Sequence, residues 1–116
     1  MTKALKPVTL ILAISMIMLG SLGFVMDPVL GITVNTLQNL VHLTSGILAL
    51  IAFRSGHSHM RSYMIACGLL YTVFAVFGFL GVRLIVQTLD VNTAGNYVHF
   101  LAASASLFAA INSDPV

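Results

Sequence analysis

Four apolar runs, each close to the length of a membrane span, occupy most of this 116-residue chain. A bilayer core is about 30 Å thick, so a helix needs about 20 apolar residues to cross it. Only 7% of the residues are charged, whereas soluble domains carry about 25%. The sequence therefore predicts one transmembrane domain over residues 1–116. The four predicted spans are Val8–Met26, Thr36–Phe53, Ser62–Leu80 and Thr93–Ile111.

A nine-residue phrase occurs twice, at the start of the second run and at the start of the fourth. Residues 34–42 read VNTLQNLVH, and residues 91–99 read VNTAGNYVH. A pair of glycines with the spacing G-x-x-G precedes each copy, at Gly20 and Gly23 and again at Gly78 and Gly81. Two shared features at similar spacing indicate an internal repeat rather than chance.

We interpret the repeat as a tandem duplication of a two-helix hairpin, with repeat one at about residues 8–60 and repeat two at about 61–116. A unit with two spans ends on the side of the membrane where it began. The two copies therefore point the same way, related by a pseudo-two-fold axis along the membrane normal. The predicted fold class is all-α: an integral membrane four-helix bundle built as a parallel internal duplication.

The repeated phrase predicts a polar cluster. The first asparagine of each copy, or the threonine after it, is placed to cap its helix. His42 and His99 follow one turn after the second asparagine, on faces of small and polar residues. Such faces allow close packing in lipid, so we expect the second and fourth spans to pack together with both histidines in one pocket. The asparagines should hydrogen-bond inside the bundle. The predicted polar cluster comprises Asn35, Asn39, Asn92 and Asn96.

Three interpretations of the histidine pair are open. Polar residues inside a membrane need partners, so His42 and His99 could serve structure alone. They could instead ligate a haem or a chlorophyll-type ring, with the adjacent small residues leaving room for it. Intramembrane histidine also suits proton or ion handling.

Other chemistry is not expected. The chain shows no nucleophile–base pair, phosphate-binding loop or paired carboxylates, so catalytic residues and an enzymatic activity are not predicted. His57 and His59 lie in a short polar hinge, and two such ligands do not make a metal site. The net charge of +2 gives no indication of nucleic acid binding.

The basic residues predict the orientation. Lys3, Lys6, Arg54 and Arg61 fall on one side of the four spans, and Arg83 falls on the other. Cytoplasmic loops are enriched in Lys and Arg. We therefore expect both termini in the cytoplasm, in a bacterial inner or photosynthetic-type membrane.

Three motifs resemble a known family. They are N-x-x-H-L-x-x-G from Asn39 to Gly46, R-x-Y at Arg61 followed by a glycine-punctuated apolar run, and V-N-T-x-x-N-x-x-H from Val91 to His99. They are similar to motifs of the bacterial membrane proteins grouped as "domain of unknown function 4383". The resemblance covers nearly the whole chain after the first span. It implies four helices and supplies no catalytic residues.

The sequence thus predicts a small accessory or scaffolding subunit of a larger membrane complex. The alternative is a tetrapyrrole-binding or redox protein that uses the paired histidines. The expected partners are the lipid bilayer and other membrane subunits, which would contact the helix sides and the apolar outer linkers. The apolar residues of these linkers are Val29, Leu30, Ile32, Val34, Val82, Leu84, Ile85, Val86 and Leu89.

Overall fold

The computed structural model describes residues 3–115 and is helical, with four helices long and apolar enough to cross a membrane. The four helices have 19, 20, 23 and 19 residues. At 1.5 Å per residue, each matches the thickness of a bilayer core. A short fifth helix, α4, lies in the second outer linker and was not predicted. The helices are α1 (Leu5–Gly23), α2 (Thr36–Ser55), α3 (His57–Phe79), α4 (Arg83–Leu89) and α5 (Thr93–Ile111).

Local sequence explains where the helices begin and end. Pro7 lies in the first turn of α1, where its missing N–H removes no helical hydrogen bond. The predicted polar hinge is shorter than expected, because α3 already begins at His57 and Gly56 alone turns the chain between α2 and α3. Gly56 has a φ of 106°, a conformation that residues with a side chain rarely adopt.

The bundle consists of two tight hairpins joined by looser contacts. Helix α1 packs most extensively on α2, and α3 packs most extensively on α5. The contacts of α2 with α3, and of α1 with α5, are far fewer. Helices α2 and α5 lie across the wide diagonal of the bundle, and no Cα atom of one comes within 8 Å of a Cα atom of the other.

The prediction that the second and fourth spans pack directly together is therefore wrong. The small residues of α2 are used against α1 instead. A Cβ atom on Gly46 would lie 2.7 Å from the carbonyl oxygen of Ala13, and one on Gly20 would lie 2.6 Å from the backbone nitrogen of Leu43. These glycines let the two backbones of the first hairpin approach closely.

The buried positions of the two halves coincide when α3 is set 55 residues after α1 and α5 is set 57 residues after α2. This is the pattern that an internal duplication predicts, and the duplication itself stays a prediction. The matching buried pairs of α1 and α3 are Leu5/Met60, Thr9/Met64, Leu12/Cys67, Ala13/Gly68, Met16/Tyr71 and Gly20/Ala75. Those of α2 and α5 are Gln38/Gly95, Asn39/Asn96, His42/His99, Ser45/Ala102, Gly46/Ala103, Ala49/Ser106 and Ala52/Ala109.

This register corrects the alignment of the two G-x-x-G pairs. Gly23 corresponds to Gly78 and not to Gly81, because each of the first two lies against the asparagine that precedes the histidine. Gly81 instead follows α3 with a φ of 69°. The second linker is longer than the first, and α4 takes up the added residues.

Candidate functional site

The first asparagine of each phrase caps its helix, as predicted. The Asn35 side-chain oxygen accepts a hydrogen bond from the backbone N–H of Gln38 at 2.8 Å. The Asn92 oxygen accepts one from Gly95 at 3.0 Å. Both residues have extended backbone conformations, which is the usual geometry of an N-cap residue. The capping fixes where each phrase turns into the membrane.

The same two asparagines also connect the two halves at the outer end. The side-chain amide of Asn35 donates to the carbonyl oxygen of Thr88, and that of Asn92 donates to the carbonyl oxygen of Gly31, each at 2.9 Å. Each acceptor lies four residues before the other half's asparagine, so the two bonds are reciprocal. Gln38 adds a bond from its side-chain nitrogen to the Leu89 carbonyl oxygen at 2.6 Å. We call these three bonds the outer clasp.

The first outer linker folds over the bundle. Val29, Ile32 and Val34 are buried and form a small apolar cluster with Leu19 and Val98 packed against it. Leu30 lies at the tip of the turn in this linker, 94% exposed, with a positive φ of 49°. The linker thus covers the outer end of the bundle, and its tip remains available to lipid or protein.

The second asparagine of each phrase packs against a glycine of the preceding span. The side-chain oxygens of Asn39 and Asn96 are buried and have no hydrogen-bond partner. The sequence predicts that both asparagines hydrogen-bond inside the bundle, but neither side-chain oxygen accepts such a bond. The Asn39 oxygen lies against Gly23 and occupies the space that a Cβ atom there would need. The Asn96 oxygen lies against Gly78 in the same way. Such contacts of an oxygen with a glycine Cα are weak and offset only part of the lost hydration.

The two histidines meet at the centre of the bundle, facing one another as predicted. The Nε2 atoms of His42 and His99 lie 3.2 Å apart, within hydrogen-bond distance. Both side chains are fully buried. The wide diagonal between α2 and α5 is thus bridged by two imidazole rings rather than by contact of the helix backbones.

Aromatic and polar side chains of α3 surround this pair. Tyr71 stacks on His42 with 6.4 Å between ring centroids, and Phe74 lies 5.5 Å from His99. The Tyr71 hydroxyl donates to the Ser45 hydroxyl at 2.9 Å and lies 3.7 Å from the sulfur of Met16. Tyr71 and Met16 occupy matching positions in the register of the buried residues, so their contact lies where the predicted pseudo-two-fold axis would run.

The closed pair does not fit a tetrapyrrole. Metal–imidazole bonds are about 2 Å long, so a ring held between the histidines needs their Nε2 atoms about 4 Å apart. The observed separation is 3.2 Å, and Tyr71 and Phe74 pack against the ring of His99. A macrocycle would have to displace these aromatic rings. The geometry favours a histidine–histidine hydrogen bond instead.

No group of three or more metal-ligating side chains comes together within residues 3–115. In the hinge, His57 donates from Nε2 to the carbonyl oxygen of Asp114 at 2.8 Å. Arg61 beside it donates to the carbonyl oxygen of Ala110 at 3.2 Å. These bonds tie the hinge to the C-terminal end of α5 and place both at the same end of the bundle.

Sequence reasoning missed Gln38, Tyr71 and the two glycines that contact the asparagines. Gln38 corresponds to Gly95, and Tyr71 corresponds to Met16. Because the residue types differ between the two halves, the repeated sequence does not single out Gln38 or Tyr71. Gly23 and Gly78 were noticed but assigned to the wrong register. The sequence feature that identifies them is a glycine near the end of the span that precedes each copy of the phrase.

Comparison with known families identifies the family of this chain. The family model described as Domain of unknown function (DUF4383) matches residues 6–112. The match covers nearly the whole chain, including the four spans and both copies of the phrase. No curated protein and no solved structure matches the chain.

Proposed function

The chain belongs to the DUF4383 family, and on that premise we propose that it is a non-catalytic membrane subunit that binds the transmembrane helices of another membrane protein. The observation that supports this role is a pair of matching grooves on the sides of the bundle. Both grooves lie where the two hairpins meet, at the depth of the hydrocarbon core.

The first lateral groove has a volume of about 380 Å³ and lies between α2 and α3. The second has a volume of about 280 Å³ and lies between α1 and α5. Except for Leu40 in the first and Met16 in the second, their lining residues correspond in the register of the buried residues. The matching pairs are Val41/Val98, Thr44/Leu101, Ser45/Ala102, Leu48/Ala105, Val8/Tyr63, Ile11/Ala66, Leu12/Cys67 and Ser15/Leu70.

A transmembrane helix is the occupant that suits these grooves. Association in lipid depends on close packing of side chains, since lipid tails are as apolar as leucine. A groove lets the ridge of a partner helix pack in a way that a flat helix face does not. The buried histidine pair, in contrast, faces the centre of the bundle. This arrangement supports binding of a partner helix at the sides of the bundle.

Photo-crosslinking tests the proposal. We expect a photoreactive amino acid at Thr44 or Leu101, which line equivalent places in the two grooves, to give discrete protein adducts in native membranes. Ile51 and Phe108 are the matched controls, because both are exposed and line neither groove. They should yield lipid adducts. Equal protein adducts from all four positions, or lipid adducts alone, would contradict a groove-specific partner.

We also propose that both termini face the cytoplasm of a bacterial cell. The supporting observation is that four of the five basic residues lie at the N-terminal end of α1 or on either side of the Gly56 turn. In a Cys67→Ala background, a cysteine at Leu30 should react with an impermeant thiol reagent on intact cells. A cysteine at Ser58, which is exposed at the opposite end, should react only after lysis. The reverse pattern would overturn this orientation.

A further inference from the structure

Beyond lateral binding, we propose that His42 and His99 form a proton-binding site that takes up one excess proton and then shares a single hydrogen between their Nε2 atoms. The first observation is the 3.2 Å contact of two fully buried imidazoles at the axis between the hairpins. The second is a set of buried polar atoms around the pair that lack partners.

The hydrogen positions of the neutral pair show that two of its hydrogen-bonding groups are left unsatisfied. One ring must donate from Nε2 and the other must accept there. The donating ring then has a bare Nδ1, and the accepting ring carries its hydrogen on Nδ1. Neither Nδ1 atom has a partner. Two equivalent positions are therefore forced into different tautomers, with one acceptor and one donor unsatisfied.

One added proton makes the two halves equivalent. The proton comes from water and binds the bare Nδ1 of the donating ring, and the hydrogen already between the two Nε2 atoms is then shared by them. Both Nδ1 atoms then carry hydrogen and need acceptors. Asn39 and Asn96 precede the histidines by one turn on the same faces, 3% and 7% exposed, and each has an unpartnered side-chain oxygen. Rotation of each asparagine away from its glycine would supply these acceptors.

The surrounding groups set the capacity at one proton. From α3, Tyr71 faces the pair, with Cys67 and Tyr63 farther toward the hinge. From α1, the neighbour is the uncharged Met16. No carboxylate faces the pair among residues 3–115, since Asp27, Asp90 and Asp114 lie outside the spans. Two protons would place two unpaired positive charges 3.2 Å apart, which burial makes highly unfavourable.

The unpartnered acceptors also indicate the more polar approach to the pair. Gln38 belongs to the outer clasp through its side-chain nitrogen, and its side-chain oxygen is buried without a partner. The asparagine oxygens come next along the helices, and the Nδ1 atoms of the histidines are deeper. No comparable series of unpartnered atoms leads from the pair to Gly56 among the described residues; Ser106 alone contributes one. The more polar approach to the pair therefore lies at the outer end.

Proton uptake in lipid nanodiscs tests the site. In a His57→Gln/His59→Gln background, acidification from about pH 8 to about pH 4 should add one proton more than in the same protein carrying His42→Gln and His99→Gln. Either single substitution should abolish this uptake, because the remaining ring cannot share the proton. Uptake of no proton, of two protons, or of one proton by a single variant would overturn the proposal.

A measurement on the unsubstituted pair covers the case in which those variants fail to fold. Nitrogen-15 spectra of ring-labelled histidine in the same background should show one bare Nδ1 before acidification and two protonated Nδ1 atoms afterwards. A bare Nδ1 that persists to about pH 4 in folded protein would also overturn the shared-proton site.

Discussion

Replacing Gly78 with alanine should destabilise the bundle, although alanine is the better helix former by about 1 kcal/mol. The added Cβ would collide with the side-chain oxygen of Asn96. That side chain is buried, so pushing it aside would disturb the packing around it. Overpacking of this kind costs about 1–3 kcal/mol. We expect a lower melting temperature in detergent, and Gly23→Ala should behave likewise because of Asn39.

Two variants separate this collision from a general effect of alanine. A Cβ on Gly95 would meet no atom closer than 3.4 Å, so Gly95→Ala should be neutral or stabilising. In an Asn96→Ala background the obstacle is gone, and Gly78→Ala should then raise the melting temperature. If Gly78→Ala destabilises the protein equally in both backgrounds, a steric clash with the Asn96 side chain is not the cause.

The spans could be predicted from sequence because hydropathy over about 20 residues is a strong signal in a chain with so few charges. Capping by Asn35 and Asn92 was predictable for a similar reason, since an asparagine before an apolar run matches a local rule. The repetition of the phrase also made it possible to predict that His42 and His99 face one another.

The lateral order of the helices could not be predicted in the same way. The small residues on α2 suit close packing against any neighbour, and nothing in their pattern distinguishes α1 from α5. Helix α4 is seven residues long, too short for hydropathy to separate it from an apolar linker. Buried polar groups are generally hydrogen-bonded, and this rule predicts partners for the asparagine oxygens. In the structure these oxygens lie against glycines instead.

The second large effect concerns the histidine pair itself. His99→Leu should destabilise the bundle, because it leaves both ring nitrogens of His42 buried without a partner, at a cost of about 1–3 kcal/mol. His42→Leu should have the same effect. The double variant should lose less than the sum of the two single variants, since no histidine ring nitrogen is then left unpaired.

The size of this coupling can be measured by a double-mutant cycle. Contacting residues in one hydrogen-bond network typically couple by about 0.5–3 kcal/mol. His59→Leu is the matched control, because His59 is exposed at the start of α3 and should change stability little. Strictly additive losses for His42 and His99 would mean that the two rings do not interact energetically.

The central feature of this account is the contact of two imidazoles across a diagonal that the helix backbones do not close. The most direct measurement is the distance between their ring nitrogens, by solid-state nitrogen-15 NMR of ring-labelled histidine in lipid. With His57 and His59 replaced by glutamine, the signals come from the pair alone. The structure predicts a strong correlation between the two Nε2 atoms at 3.2 Å. Two nitrogen signals without any correlation, in protein that remains folded, would contradict it.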